Sequence, residues 1–428
     1  MLALLLALQA APAQTDTVPR VTLTEALQRS ARLDPFYVAA LGQIDNAQWG
    51  RRNAFAVFIL PAVTIGASMQ RSDPPSFLFT DSLVRAKTLW TANLVARYDL
   101  FTGGQKIAEL TRSAAALESA RADELRQRFI TAQLTEADYY AVLANAELDR
   151  VARDRLVRAQ EQLAVARARV VSGAAVSTDS LNLRLELARA QAGAIQQASA
   201  LRFSRLALGR RVGVMGAVDA EPVDTAPAPD LPIALADAIA EAAQQGPEYR
   251  IAAANERAAS ATYRAELGNY LPRATLTFSS NTVDQKFYPK LFNQTSLVLG
   301  ISFPIWNNGI RELNLSRAKV NKDVARVTRE DMDRGVLADV TNAYDAYNVS
   351  RATAQLAREA VVIARENFRV QQTRYTAGAT TILDLITAQV ALSNAEATLV
   401  QAVYATRLSR AGLETILGRR LSSDKGTQ

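Results

Sequence analysis

One order of landmarks runs twice along this chain. Pro35 closes a short helical pattern, Leu23 to Leu33, and recurs as Pro247, 212 residues on. LPAVTIGAS (Leu60–Ser68) answers LPRATLTFS (Leu271–Ser279) at 211, and DLFTGGQK (Asp99–Lys106) answers PIWNNGIR (Pro304–Arg311) at 205. Gly173 and Gly378 are also 205 apart, and LALGRR (Leu206–Arg211) answers TILGRR (Thr415–Arg420) at 209. Chance likeness between Ala-rich helices does not keep Pro, Gly and Asp in one sequence twice over. The chain therefore divides into a first repeat, 14–211, and a second, 233–420. The segment 212–232 between them carries Pro222, Pro227, Pro229 and Pro232 and predicts a linker without regular structure.

Each repeat predicts a short helix, a medium helix running to Ile59 or Asn269, a β-hairpin, and a long helix that turns back at a glycine. The hairpins, 60–100 and 271–305, are marked by period-two alternation. Trp90, Ala92, Leu94, Ala96 and Tyr98 alternate with Thr91, Asn93, Val95, Arg97 and Asp99; Leu297, Leu299, Ile301, Phe303 and Ile305 do the same in the second copy. Leu60–Gln70 and Leu271–Val283 are the partner strands, joined through the polar loops Arg71–Lys87 and Asp284–Gln294. After the N-terminal segment no run of 18 apolar residues occurs, so no transmembrane helix is expected. Strands of about ten residues with one apolar face suit a membrane β-barrel. Four strands cannot close one, so several copies must share it. A small soluble sheet capping helices is the other reading; Trp90, Tyr98, Phe303 and Trp306, aromatics at strand ends, weigh against it.

The long helices, 104–171 and 309–376, are each roughly 100 Å at about 1.5 Å per residue. Ile107, Leu110, Ala114 and Leu117, then Leu156, Leu163 and Val170, fall at heptad-like spacing. So do Leu181, Leu185, Ala188, Ala192 and Ile195, and Leu385, Ala388, Leu392, Ala395 and Leu399. These stripes predict coiled-coil packing, in helices too long for an ordinary globular domain.

Composition narrows the chemistry. The 428 residues contain no His and no Cys, which removes thiol, imidazole and disulfide chemistry together. Acidic pairs are common on the helices, but none converges with a nucleophile, a phosphate loop or a metal spacing. No catalytic residue, metal ligand or cofactor is expected, and the chain does not read as an enzyme. The net charge of +7 is spread over mixed-sign helix faces, as in RADELRQR (Arg121–Arg128), and does not point to nucleic acid. Residues 1–13, with Leu2–Leu8 apolar and Ala11-Pro12-Ala13 before Gln14, resemble a signal peptide that lacks a preceding Lys or Arg; a buried N-terminal helix is the alternative.

The two turns share the pattern Arg, three residues, Gly, five residues, Asp: RVVSGAAVSTDSL (Arg169–Leu181) and RYTAGATTILDLI (Arg374–Ile386). Gly173 and Gly378 supply the left-handed conformation that ends a helix. Ser177 or Thr178, and Thr380 or Thr381, are placed to cap the next helix, and Asp179 and Asp384 fall in its first turn, where the helix dipole favours an anion.

Tandem helix–hairpin–long-helix repeats, these turns and the strands opening on Leu-Pro resemble the outer membrane efflux protein family, the TolC-like channels, over nearly the whole chain. The resemblance implies a mainly α chain with a small β part. Three copies would share a twelve-stranded outer-membrane β-barrel, continued by their helices as a periplasmic α-barrel, with 212–232 and the tail 421–428 as a belt. It implies a passive duct for multidrug efflux or type I secretion. The partners would be a periplasmic adaptor, an inner-membrane transporter and outer-membrane lipid. By position, the adaptor would dock on Arg169, Ser172, Gly173, Arg374, Gly378 and Thr380, and Asp179, Tyr375 and Asp384 would form the periplasmic gate. Family members hold the gate with an Arg where this chain has Thr380 and a second acid where it has Thr387, so the closing network is thinner. A soluble coiled-coil scaffold would explain the heptads but neither the hairpins nor the signal segment.

Overall fold

The structure is a computed structural model and describes residues 18–77, 85–173, 176–284 and 292–421. The segment 1–13, both hairpin tips and the tail beyond Leu421 lie outside the described residues. The described residues form two compact units, one drawn from 18–38, 127–238 and 339–421, the other from 39–126 and 239–338.

The second unit holds a four-stranded antiparallel sheet in the order β2–β3–β5–β6, made of β2 (Ala62–Phe77), β3 (Arg85–Phe101), β5 (Arg273–Asp284) and β6 (Phe292–Ser302). The first pair exceeds the expected strands: β2 and β3 continue through Ser76–Phe77 and Arg85–Ala86, where a polar loop was predicted. Pro74 and Pro75 fall where the pairing with β3 breaks register between Arg71 and Ser76, so no N–H is asked of them for that ladder. At the other end β6 stops at Ser302, short of the predicted run to 305. Phe303 precedes Pro304, which has no N–H to give a ladder.

Cross-strand pairs sort the side chains onto two faces. Ile65 pairs with Leu94, Leu94 with Ser280, Ala96 with Phe278, and Phe278 with Leu297. Val63, Ile65, Met69, Leu297, Leu299 and Ile301 share this face and are exposed, Ile65 by 80%. The opposite face carries Thr64, Ser68, Thr91, Asn93, Thr277, Ser279 and Ser296. Hydroxyl pairs bridge its strands, Ser68 to Thr91 and Ser279 to Ser296, both at 2.7 Å.

The first unit is built on α1 (Leu23–Leu33), the start of α2 (Pro35–Ile59), and parts of α3 (Gln105–Val171) and α7 (Ile310–Thr376), with the return helices α4 (Ser177–Arg211) and α8 (Ile382–Leu417). Pro35 opens α2 at a position whose N–H would have no partner in any case. Asp34 caps it, its Oδ1 accepting from the N–H groups of Phe36 and Tyr37 at 2.9 and 3.0 Å. The α5 (Leu235–Gln245) and α6 (Pro247–Leu267) pair repeats α1 and α2. No helix among the described residues is long and apolar enough to cross a membrane.

The linker departs from the expectation of no regular structure. Asp219–Ala220 (β4) pairs in parallel with Arg20–Val21 (β1). The N–H groups of Asp219 and Glu221 donate to the carbonyls of Pro19 and Val21 at 2.8 and 3.0 Å. An extended, proline-spaced segment has free backbone groups, and these are met by a second extended segment. A tyrosine from each long helix then pins the linker. Tyr139 donates to Glu221 O at 2.8 Å and Tyr347 to Pro229 O at 2.7 Å. Burial pushes the Tyr139 phenol up to about 12 and that of Tyr347 in the same direction, so both hydroxyls stay donors.

Candidate functional site

The two turns meet in one place. Leu163 and Ala166 of α3, Leu183 of α4, Phe368 and Tyr375 of α7, and Ile382, Leu385 and Ala388 of α8 form a single apolar cluster in the first unit. Above it a buried polar layer crosses the bundle. Arg155 Nη2 pairs with Glu186 at 2.6 Å, with Glu186 only 1% exposed, and Gln389 Nε2 donates to Arg155 O at 3.4 Å.

Each long helix ends as the glycine positions predict. Gly173 has φ 74° and Gly378 has φ 75°. At the second turn the Gly378 N–H donates to Tyr375 O at 3.1 Å and the Ala379 N–H to Arg374 O at 2.8 Å, the paired bonds of a Schellman motif. At the first, Gly173 N–H donates to Val170 O at 3.1 Å; Ala174 and Ala175 lie outside the described residues.

The helices that follow start differently. Thr381 caps α8 as expected: its Oγ1 accepts from Asp384 N–H at 3.2 Å, while Asp384 Oδ2 accepts from Thr381 N–H, closing a capping box. Thr380 Oγ1 donates to the same carboxylate oxygen at 2.9 Å. The hydrogen bonds from Thr381 and Thr380 hold the Asp384 carboxyl below its usual range. Neither Ser177 nor Thr178 caps α4. Its N-cap is Val176, with no side-chain hydrogen bond, because the helix begins one residue before the hydroxyls could serve it. Asp179 still falls in the first turn.

Of the residues named for the gate, Tyr375 is buried, 3% exposed, and its hydroxyl has no hydrogen-bond partner among the described residues. Burial raises its phenol pKa, and the nearby charge of Asp179 raises it further. Asp179 therefore acts on Tyr375 through space, and the two share no hydrogen bond. Arg169 was read as a docking residue, yet its guanidinium turns inward: Nη1 donates to Tyr375 O, and Cζ lies 4.8 Å from the Tyr375 ring centroid. Ser172, Gly173, Arg374 and Gly378 are exposed. The inward turn of Arg169 leaves no trace in the sequence, where Arg169 and Arg374 hold equivalent positions.

In the second unit Trp90 and Tyr98 sit on the apolar face of β3, eight residues apart. At about 3.3 Å per residue that is about 26 Å along the strand, or roughly 20 Å of height at the tilt of about 35–45° usual in outer-membrane barrels, which falls within their apolar band of about 25 Å. Tyr98 donates to Phe58 O at 2.9 Å. Phe303 and Trp306 lie just beyond β6, both exposed.

The profile of the outer membrane efflux protein family matches residues 38–214 and 238–419, once in each repeat. The chain belongs to that family. Outer membrane efflux proteins include the pyoverdine export outer membrane protein OpmQ of Pseudomonas putida, 27% identical over 350 residues, 79% of this chain and 73% of that one. The same fold occurs in the Campylobacter jejuni CmeC outer membrane channel, with a TM-score of 0.80 at 15% identity, covering 94% of this chain and 87% of CmeC. The outer membrane protein VceC of Vibrio cholerae has a TM-score of 0.77 at 16% identity, over 94% and 97% of the two chains. As a family member the chain is an outer-membrane efflux protein. Among the described residues no cluster of acidic side chains could hold a metal.

Proposed function

We propose that this outer membrane efflux protein is one third of a passive export duct. Three copies join their sheets into a twelve-stranded barrel, and α3, α4, α7 and α8 of each form the wall of a periplasmic tunnel. The observation that carries this reading is the sheet: four strands with one exposed apolar face and two unpaired edge strands, β2 and β6. An open edge cannot remain in lipid, so the sheet needs neighbours on both sides.

The helices support the same assembly. The predicted stripe of α8 is buried within the chain at Leu385, Ala388 and Leu392, whereas that of α4 is exposed at Leu181, Leu185 and Ile195. A second exposed stripe, Val349, Leu356 and Ile363, runs along α7. Two different apolar surfaces on one chain suit a head-to-tail contact that closes a ring.

On this reading the tips around Ser172, Gly173, Arg374, Gly378 and Thr380 receive a periplasmic adaptor. An inner-membrane transporter supplies the energy. Asp179 and Tyr375 belong to the closed entrance, and Asp384, three times in the trimer, gives the entrance a ring of negative charge. Aromatics Trp90, Tyr98, Phe303 and Trp306 mark the lipid interfaces. In planar lipid bilayers the purified protein should give discrete conductance steps that favour cations. Asp384→Asn should weaken that preference, read as a smaller reversal potential in a salt gradient. An absence of steps contradicts the duct, and an unchanged reversal potential contradicts the Asp384 ring.

A further inference from the structure

We propose that Arg169 is a clamp between the two tips, holding the last turn of α7 and the ring of Tyr375 in the closed arrangement, and so is not a docking residue. This builds on reading the tips as a gate.

Three contacts converge on that turn. Arg169 Nη1 donates to the Tyr375 carbonyl, which also accepts from Gly378 N–H, so both lone pairs of that oxygen are used. The guanidinium carbon lies over the Tyr375 ring, a contact Arg makes more often than Lys. A Cβ on Gly378 would lie 3.4 Å from Arg169 Nη2, whereas nothing lies within 4 Å of one on Gly173. That is ordinary van der Waals contact, so glycine at 378, as at 173, is required by the positive φ of the turn, while the distance places the guanidinium against the last turn of α7. The carbonyls at the end of α7 carry the negative pole of the helix, so a cation placed there gains from dipole and hydrogen bond together.

The counterpart in the second repeat behaves differently. The Arg374 side chain is exposed and makes no hydrogen bond or ion pair among the described residues. Tyr375 has no bond through its hydroxyl, so its position depends on the apolar pocket and on Arg169. Position 380, where the resembling channels carry an arginine, holds Thr380, whose hydroxyl is committed to Asp384. Among the described residues Arg169 is therefore the cation that crosses from one tip to the other. The duplicated Arg–Gly motifs have divided: the first is spent inside the protein, and the second faces outward.

Hydrogen exchange on the full-length protein, purified from membranes, tests the clamp. In Arg169→Gln the amides of Ala377, Gly378 and Ala379 should exchange about tenfold faster, the loss of one charge-assisted hydrogen bond. Arg169→Lys should fall between Arg169→Gln and the unmodified protein, and also serves if Arg169→Gln fails to assemble. Arg374→Gln should change these amides by less than about twofold, as expected of an exposed side chain. Equal rates in the Arg169 variants and the unmodified protein, or an equal acceleration in Arg374→Gln, overturn the clamp. The closed-state current of Arg169→Gln in planar bilayers separates the clamp from the gate. A rise supports both. Faster exchange with unchanged current leaves the clamp standing and removes the gate reading on which it was built.

Discussion

Arginine in place of Ile65 should keep the protein out of the membrane. Ile65 is 80% exposed and pairs with Leu94, which stands midway between Trp90 and Tyr98 on β3. If those aromatics mark the two interfaces, Ile65 lies at the centre of the apolar band. A charged Arg there costs about 2–4 kcal/mol per copy, falling toward zero near the interfaces. In the proposed trimer three copies multiply that cost within one barrel. Thr64→Arg is the control, one residue away on the polar face, where water or a lumen accepts the charge. The measurement is the fraction of protein that stays in the membrane pellet after urea extraction. Ile65→Arg should lose most of it and Thr64→Arg little. Equal behaviour would mean that the apolar face does not meet lipid.

Removing Arg155 should destabilise the tip bundle by about 3–5 kcal/mol, the usual cost of leaving one partner of a buried ion pair alone. Glu186 is 1% exposed, and only its Oε1 is bonded, to Arg155; Oε2 has no hydrogen-bond partner among the described residues. Arg155→Ala would leave the carboxyl group buried without this partner. The double variant Arg155→Ala/Glu186→Leu should recover most of the loss, since a buried pair is often no more stable than the apolar residues that replace it. Proteolytic resistance of 150–190, followed against temperature, reads both effects. A double variant as labile as Arg155→Ala would show that the pair serves packing and not charge balance.

Much of the fold was legible because repetition and periodicity are local signals. The long helices span 105–171 and 310–376, each within one residue of the run predicted from its heptads and its closing glycine. The alternation in TLWTANLVARYDLF placed Trp90, Leu94 and Tyr98 on one face, and the register bears this out. What stayed hidden depends on partners that the sequence does not name. The stripes of α4 and α8 look alike, yet Leu385 is buried inside the chain while Leu181 is left outside. Periodicity says that a face is apolar but not which chain covers it. Arg169 and Arg374 are equivalent in pattern, and only the packing of α3 against α7 turns the first inward. The linker's pairing with Arg20–Val21 is equally non-local.

The central claim, that three copies close one barrel edge to edge, is tested most directly by disulfide trapping. The natural sequence has no cysteine, so an introduced pair can react only with itself. Ser68→Cys on β2 would be combined in turn with Ser296→Cys, Val298→Cys or Gly300→Cys on β6, all on the polar face. Within one chain those strands are the opposite edges of the sheet. They are separated by roughly 14 Å at about 4.7–4.9 Å per strand, twice the reach of a disulfide, roughly 7 Å between Cα atoms. Between copies they become neighbours. For at least one pair the account predicts a covalent trimer on a non-reducing gel, with nothing larger. Monomers alone, dimers alone or an unending ladder would contradict it.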